Sequence, residues 1–157
     1  MVFCIASIGN VGLWSIVYVM PFIEVEFGLD RSQTSLPYSL TMIGFAVGNL
    51  IFGWFLDRYG LFLILLGATA LISFGYFVAT ISNNFLLFST IQFFIGLGTA
   101  VSFAPLMADI SHWFKKYRGI AVAVVASGNY FSGALSSLLL AETLEVQGWR
   151  VAYILLG

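Results

Sequence analysis

The chain has 157 residues, of which 61% are apolar and only 8% charged, with a formal net charge of −1. A water-soluble domain carries about 25% charged residues, so these side chains are too few to cover a solvent-facing surface and the chain reads as an integral membrane protein. No basic patch exists to hold nucleic acid; the single cysteine, Cys4, excludes an internal disulfide, and with one histidine, His112, no set of metal ligands or cofactor motif is present.

Met1 leads straight into apolar sequence, with no basic stretch and no small-residue cleavage site, so the start reads as a transmembrane helix and not as a signal peptide. Full spans are expected at 2–23, 36–56, 61–81, 85–107 and 120–141. Each has about 20 residues, enough to cross a hydrocarbon core of about 30 Å. The apolar runs are continuous and not alternating, which favours helices over a barrel. Residues 149–157 begin a sixth helix that stops after about two turns, so the chain reads as part of something longer.

The connections are short. Glu24 to Ser32 joins the first two spans, with Pro21 and Gly28 expected to break helix at its start. Ser32 or Ser35 is placed to cap the second helix, with Pro37 in its first turns. Gly53-Trp54-Phe55-Leu56-Asp57-Arg58-Tyr59-Gly60 makes the next reversal. Asp57 and Arg58 are the only charges between Arg31 and Asp109. Either would cost roughly 2.5–3.5 kcal/mol in mid-bilayer, so they mark where the chain leaves the lipid. Gly53 is expected to admit a close neighbouring helix, and Gly60 to take the positive φ of a tight turn. Ser82-Asn83-Asn84 is a polar turn, and Pro105 is expected to bend the fourth helix near its inner end. His112 to Gly119 closes the fourth-to-fifth connection, with Lys115, Lys116 and Arg118.

Basic residues set orientation. Arg58, Lys115, Lys116 and Arg118 lie on one side, and Arg31 and Arg150 on the other with Glu24, Glu26, Asp30, Glu142 and Glu145. This places the second-to-third and fourth-to-fifth connections, and the amino terminus, in the cytoplasm, with the plasma (cell inner) membrane as the expected location. Trp113, Phe114 and Tyr117 then fall at the inner interface, His112 among them.

Small residues recur at four-residue spacing: Gly44 and Gly48; Gly96 and Ala100; Gly98 and Ser102; Gly128, Ser132 and Ser136, with Gly133 and Ser137 beside them. Such rows let helix backbones approach where no hydrophobic force draws them together. Polar side chains deep in lipid are functional candidates. Asn10, Trp14 and Tyr18 form one stripe on the first helix, Gln92 and Phe103 stand on the fourth, and Asn129 and Tyr130 on the fifth. Helix–helix hydrogen bonding or interfacial anchoring is the competing role for each.

Gly53, Asp57, Arg58 and Gly60 resemble the G-x-x-x-D-R-x-G signature loop of major facilitator superfamily transporters, although Leu61 and Phe62 stand where that pattern ends in basic residues. Gln92-Phe93-Phe94-Ile95-Gly96-Leu97-Gly98-Thr99-Ala100 is similar to the family's R-x-x-x-G-x-G-x-A, with Gln92 in place of the arginine. Trp113-Phe114, Arg118-Gly119-Ile120-Ala121, Ser127-Gly128 and Gly133 resemble the run found in its oxalate/formate antiporter and monocarboxylate transporter group, and Gly148-Trp149-Arg150 resembles the loop opening the family's sixth helix. The resemblance covers nearly the whole chain. It implies an all-α membrane protein, the amino-terminal half of a major facilitator-type bundle, whose carboxy-terminal half is the missing partner.

The function so implied is secondary active transport of a small solute, an organic anion such as a monocarboxylate, by alternating access. Asn10, Trp14, Tyr18, Gln92, Phe103 and Asn129 are the expected substrate-binding residues, and Gly53, Asp57, Arg58 and Gly60 the gating loop, with Asp57 and Arg58 as its latch. No lysine or arginine lies within a span, so the charge partner of an anion would have to come from the other half. A non-transporting truncated membrane protein or assembly partner is the alternative. An intramembrane enzyme fits poorly, because neither a G-x-S-x-G nucleophile elbow nor an H-E-x-x-H pair occurs.

Overall fold

The computed structural model describes residues 2–157, apart from the side chains of Val2 and Asp57, so the latch role expected of the Asp57 carboxylate lies outside the described residues. In order, the helices are α1 (Val2–Gly9), α2 (Val11–Phe27), α3 (Arg31–Thr34), α4 (Leu36–Tyr59), α5 (Leu61–Ile81), α6 (Phe85–Thr99), α7 (Ala104–Trp113), α8 (Arg118–Val146) and α9 (Trp149–Leu156), with a single 3-10 turn, Ala100–Ser102, between α6 and α7. Among the described residues they make five runs long and apolar enough to cross a membrane: Phe3–Phe27, Arg31–Leu56, Leu61–Ile81, Phe85–Trp113 and Arg118–Val146.

Several boundaries differ from those expected. Pro21 does not end the first span. It sits inside α2, which runs on until Gly28, at φ 60°, closes it with an N–H bond to the Glu24 carbonyl. One missing backbone donor is tolerated in a packed span, whereas the left-handed turn that stops the helix favours glycine. Neither serine caps α4 through its side chain; Ser35 Oγ instead donates to the Ser32 carbonyl at 2.6 Å. Gly60 takes the positive φ its position suggests, 75°, and turns the chain from α4 into α5 in one residue. Asn84 caps α6, its Oδ1 accepting from Leu86 N at 2.9 Å. The fifth span begins at Arg118 and continues to Val146, past the apolar run, with Glu142 and Glu145 exposed on its last turns.

Glycine decides how the bundle closes. A Cβ built on Gly44 would overlap the Phe93 carbonyl, one on Gly96 would overlap that of Thr41, and one on Gly48 would lie 2.5 Å from the Leu97 carbonyl. The second and fourth spans therefore meet backbone to backbone. On the other side of the fourth span, a Cβ at Gly98 would come 2.7 Å from Ile72 Cγ1 and 3.1 Å from the Ala68 carbonyl of the third. The fifth span packs on the first through Gly128, which faces Ala6, Phe3 and Ser7. Nothing lies within 4 Å of a Cβ at Gly53, so the close approach expected there is not made. The largest buried cluster joins Ile16, Val19 and Ile23 to Tyr76, Phe88, Ile95, Leu140, Trp149 and Tyr153, and so ties the start of α9 into the bundle.

Adding a side chain at the second-to-fourth crossing should separate two backbones, whereas Gly67 faces open space. Gly96→Val is expected to destabilise the chain by about 1–3 kcal/mol or more. Gly67→Ala should be neutral or slightly stabilising through helix propensity. Thermal unfolding of the two variants in detergent checks the contrast, and equal midpoints would contradict the crossing described.

Candidate functional site

One seam gathers three of the six candidate side chains. Trp14 and Tyr18 lie one turn apart on α2 and so share a face. Across from them α8 offers Gly133, whose missing side chain leaves room for the indole; a Cβ there would be 3.2 Å from Trp14 Cδ2. Trp14 Nε1 donates to the Asn129 carbonyl at 2.9 Å and lies 3.2 Å from Asn129 Oδ1, and Tyr18 OH donates to the Gly133 carbonyl at 2.9 Å. Trp14, Tyr18 and Asn129 are all partly exposed. Among the described residues no hydrogen bond uses Asn129 Nδ2, which leaves that amide as a donor on the seam. Tyr130, the next residue, is 73% exposed and points away from the bundle.

The other three are placed elsewhere. Asn10 is fully buried, and its Nδ2 donates to the Ala6 carbonyl at 2.7 Å and to the Ser102 carbonyl at 3.3 Å. Gln92 is fully buried too, and its Nε2 donates to Tyr153 OH at 2.8 Å. Phe103 packs on Phe45 of the second span with ring centroids 5.7 Å apart. Asn10 Oδ1 and Gln92 Oε1 have no partner among the described residues. Both amides thus use their donors internally and leave acceptors open. Carbonyl oxygens do not replace the hydration of an anion, while indole, phenol and amide N–H groups do. On chemistry alone, the first-to-fifth seam is the anion-compatible surface.

Sequence reasoning passed over three features. Ser15 Oγ and Tyr76 OH share a 2.9 Å hydrogen bond, and the Tyr76 and Tyr153 rings meet edge to face at 5.0 Å. With Gln92 these side chains form a buried polar knot between the first, third and fourth spans and α9. Asn49 Oδ1 accepts from Ala104 N at 3.3 Å. Asn49 satisfies the same polar-in-lipid criterion that singles out Asn10, but its partner is 55 residues away and carries no local signal. At the end of the bundle marked by Gly28 and Gly148, Arg150 pairs with Glu26 at 2.6 Å and its Nε donates to the Thr80 carbonyl at 3.2 Å, while Trp149 Nε1 donates to Glu26 Oε2 at 2.6 Å.

At the opposite end two cations lie over rings: Arg58 over Trp54 and Tyr59 at 5.9 and 5.8 Å, and Lys116 over Tyr117 at 5.5 Å. Two apolar surface hollows of about 450 Å³ open at this end, one lined by Phe52, Tyr59, Leu63 and Gly67, the other by Phe3, Phe114, Ile120 and Val124, and none of the six candidates lines either.

Comparison with known proteins gives a single family. The model of the Major Facilitator Superfamily matches residues 2–157. The chain is 28% identical over 142 residues to a probable sulfoacetate transporter of Cupriavidus necator, with 87% of this chain and 32% of the relative covered. It is 24% identical over 141 residues to a sialic acid transporter of Escherichia coli, covering 89% and 35%. It is 27% identical over 137 residues to a hexuronate transporter of Bacillus subtilis, covering 87% and 32%. The chain thus spans about a third of the length of these relatives.

The buried knot and the exposed clamp should differ in worth. Tyr153→Phe leaves Gln92 Nε2 buried without a partner and is expected to cost about 1–3 kcal/mol. Glu26→Gln loosens an ion pair whose side chains are 37% and 34% exposed, and exposed pairs contribute only about 0–1 kcal/mol. Unfolding midpoints in detergent rank the two, and a larger loss for Glu26→Gln would reverse this assignment.

Proposed function

This chain belongs to the Major Facilitator Superfamily, and from that premise we propose that it is the amino-terminal part of a secondary active transporter that carries a small organic anion by alternating access. The observation that carries the reading is the seam between the first and fifth spans, where the partly exposed residues Trp14, Tyr18 and Asn129 bring N–H and O–H donors together, those of Trp14 and Tyr18 engaged with main-chain carbonyls. The relatives support the substrate class, since sulfoacetate, sialic acid and hexuronate are all organic acids. A monocarboxylate of the kind handled by the oxalate/formate antiporter group is the narrower proposal. Asn10, Gln92 and Phe103 shape the bundle behind the seam, and the open acceptors of Asn10 and Gln92 suit hydroxyl or N–H groups of a substrate.

The cationic partner of the anion comes from the other half of the protein, which also closes the cavity. Gly53, Asp57 and Arg58, which lie in the last turns of α4 and not in a loop, form with Gly60 the gate on the cytoplasmic side of the plasma (cell inner) membrane, where the amino terminus also lies, in keeping with the positive-inside rule. Arg58, exposed at the end of α4, is available to the other half when that end of the transporter closes.

The test is uptake by the complete protein in proteoliposomes, comparing labelled hexuronate and sialic acid with a neutral hexose. Acid uptake above empty vesicles is expected, and none for the hexose. Trp14→Phe and Asn129→Ala should each raise KM about tenfold, the worth of one hydrogen bond to a charged group. Asp57→Asn should lower turnover more than it changes KM. Equal uptake of acid and hexose would remove the anion assignment, and no uptake at all would leave a non-transporting membrane protein.

A further inference from the structure

We infer that Asn49 is a positioning residue for transport: with Asn10 it splices the broken fourth span, and so sets the bend that presents Phe103. The inference rests on the transport reading above and adds a residue and a role to it.

The break begins with Pro105. It has no N–H, so the Val101 carbonyl loses the donor that a continuous helix would supply. The chain responds with the 3-10 turn Ala100–Ser102, closed by Phe103 N on the Ala100 carbonyl at 3.1 Å, and Phe103 takes φ −118° and ψ −88° before α7 starts. Irregular backbone survives at membrane depth only where protein groups satisfy it. Here two side-chain amides do so from two other spans. Asn49 Oδ1 accepts from Ala104 N, and Asn49 Nδ2 donates to the Phe45 carbonyl at 2.8 Å, which fixes the amide on its own helix. Asn10 Nδ2 donates to the Ser102 carbonyl.

Asn10 also occupies an interruption, between α1 and α2, at φ −88° and ψ 0°. The two broken spans therefore meet break to break. Gly9 makes that meeting possible, because a Cβ on it would overlap Ser102 Oγ. Phe103, at the centre of the fourth-span break, packs on Phe45, one turn before Asn49. The second span thus holds both the backbone of the break and the ring that projects from it. A bend held by two neutral side-chain hydrogen bonds of 3.3 Å each is suited to reversible change, whereas a continuous helix is not.

The experiment uses the full-length transporter in lipid nanodiscs, with hydrogen–deuterium exchange read on the segment 100–107 and uptake of labelled hexuronate read in parallel. Asn49→Leu is expected to speed exchange there about tenfold and to lower turnover severalfold with KM unchanged. Pro105→Ala restores the missing backbone donor and lets the helix continue, so in that background Asn49→Leu should change exchange less than about twofold. Unchanged exchange in Asn49→Leu would overturn the splice, and faster exchange with undiminished turnover would overturn its role in transport. If Asn49→Leu fails to reach the membrane, the double variant with Pro105→Ala should restore it, and failure of the double variant also overturns the inference. Faster exchange in a protein whose wild type takes up no acid would support the splice and refute the transport reading instead.

Discussion

The crossing of the second and fourth spans is the contact on which the rest of this bundle depends. Three glycines, Gly44, Gly48 and Gly96, let backbone carbonyls stand where side chains would normally be. In lipid no hydrophobic force draws helices together, so close dispersion contact has to do it. The consequences reach along both helices. Because the backbones touch, a side chain as short as Asn49 can reach Ala104 N on the neighbouring span, and Phe45 can pack on Phe103. The third span adds to the same axis through Gly98, which faces Ala68 and Ile72. The fourth span is thereby held on two sides and becomes the core around which the others are arranged.

The seam of the first and fifth spans is built differently. There Gly133 admits a whole indole, and hydrogen bonds from Trp14 and Tyr18 cross to main-chain carbonyls of α8. Carbonyls of a regular helix already accept from within the helix, so the single donors of Trp14 and Tyr18 are engaged with acceptors that are themselves shared. A ligand with stronger acceptors, such as a carboxylate, competes for these donors on favourable terms. The buried amides of Asn10 and Gln92 stand in the opposite state, with donors engaged and acceptors open. Two chemically distinct polar surfaces therefore coexist in one small bundle.

Much of the architecture was legible because lipid imposes so few solutions. Length and hydropathy give the spans, and the Asp57–Arg58 pair gives a reversal, without reference to any partner residue. Gly60 was legible for the same local reason. What was not legible depends on distant contacts. Pro21 and Pro105 look alike in sequence, yet one lies within a continuous helix and the other follows a break. The difference lies in neighbours: at Pro105, Asn10 and Asn49 supply replacement partners that make an irregular turn tolerable. Gln92 was legible as a deep polar residue, but nothing local says that its amide meets Tyr153 of another helix, α9. Gly53 failed in the reverse sense, since a small residue permits a close neighbour without requiring one.

The two ends of the bundle differ in their polar contacts. At one end Arg150, Glu26, Trp149 and the Thr80 carbonyl join the first span, the third span and α9 by direct hydrogen bonds and an ion pair. At the other, Arg58 and Lys116 lie over aromatic rings of their own segments, contacts that tie no span to another. Cation–π contacts at exposed sites contribute only about 0.5–1 kcal/mol and leave the guanidinium or ammonium hydrogens available. The end without the ion pair is held by apolar packing across spans, with Ala6, Leu106 and Val125 in one cluster and Ile64, Ala68 and Val101 in another. Between these ends lie the paired breaks at Asn10 and Ser102. Asn10 and Asn49 are the side chains that bridge this interruption, one from the first span and one from the second.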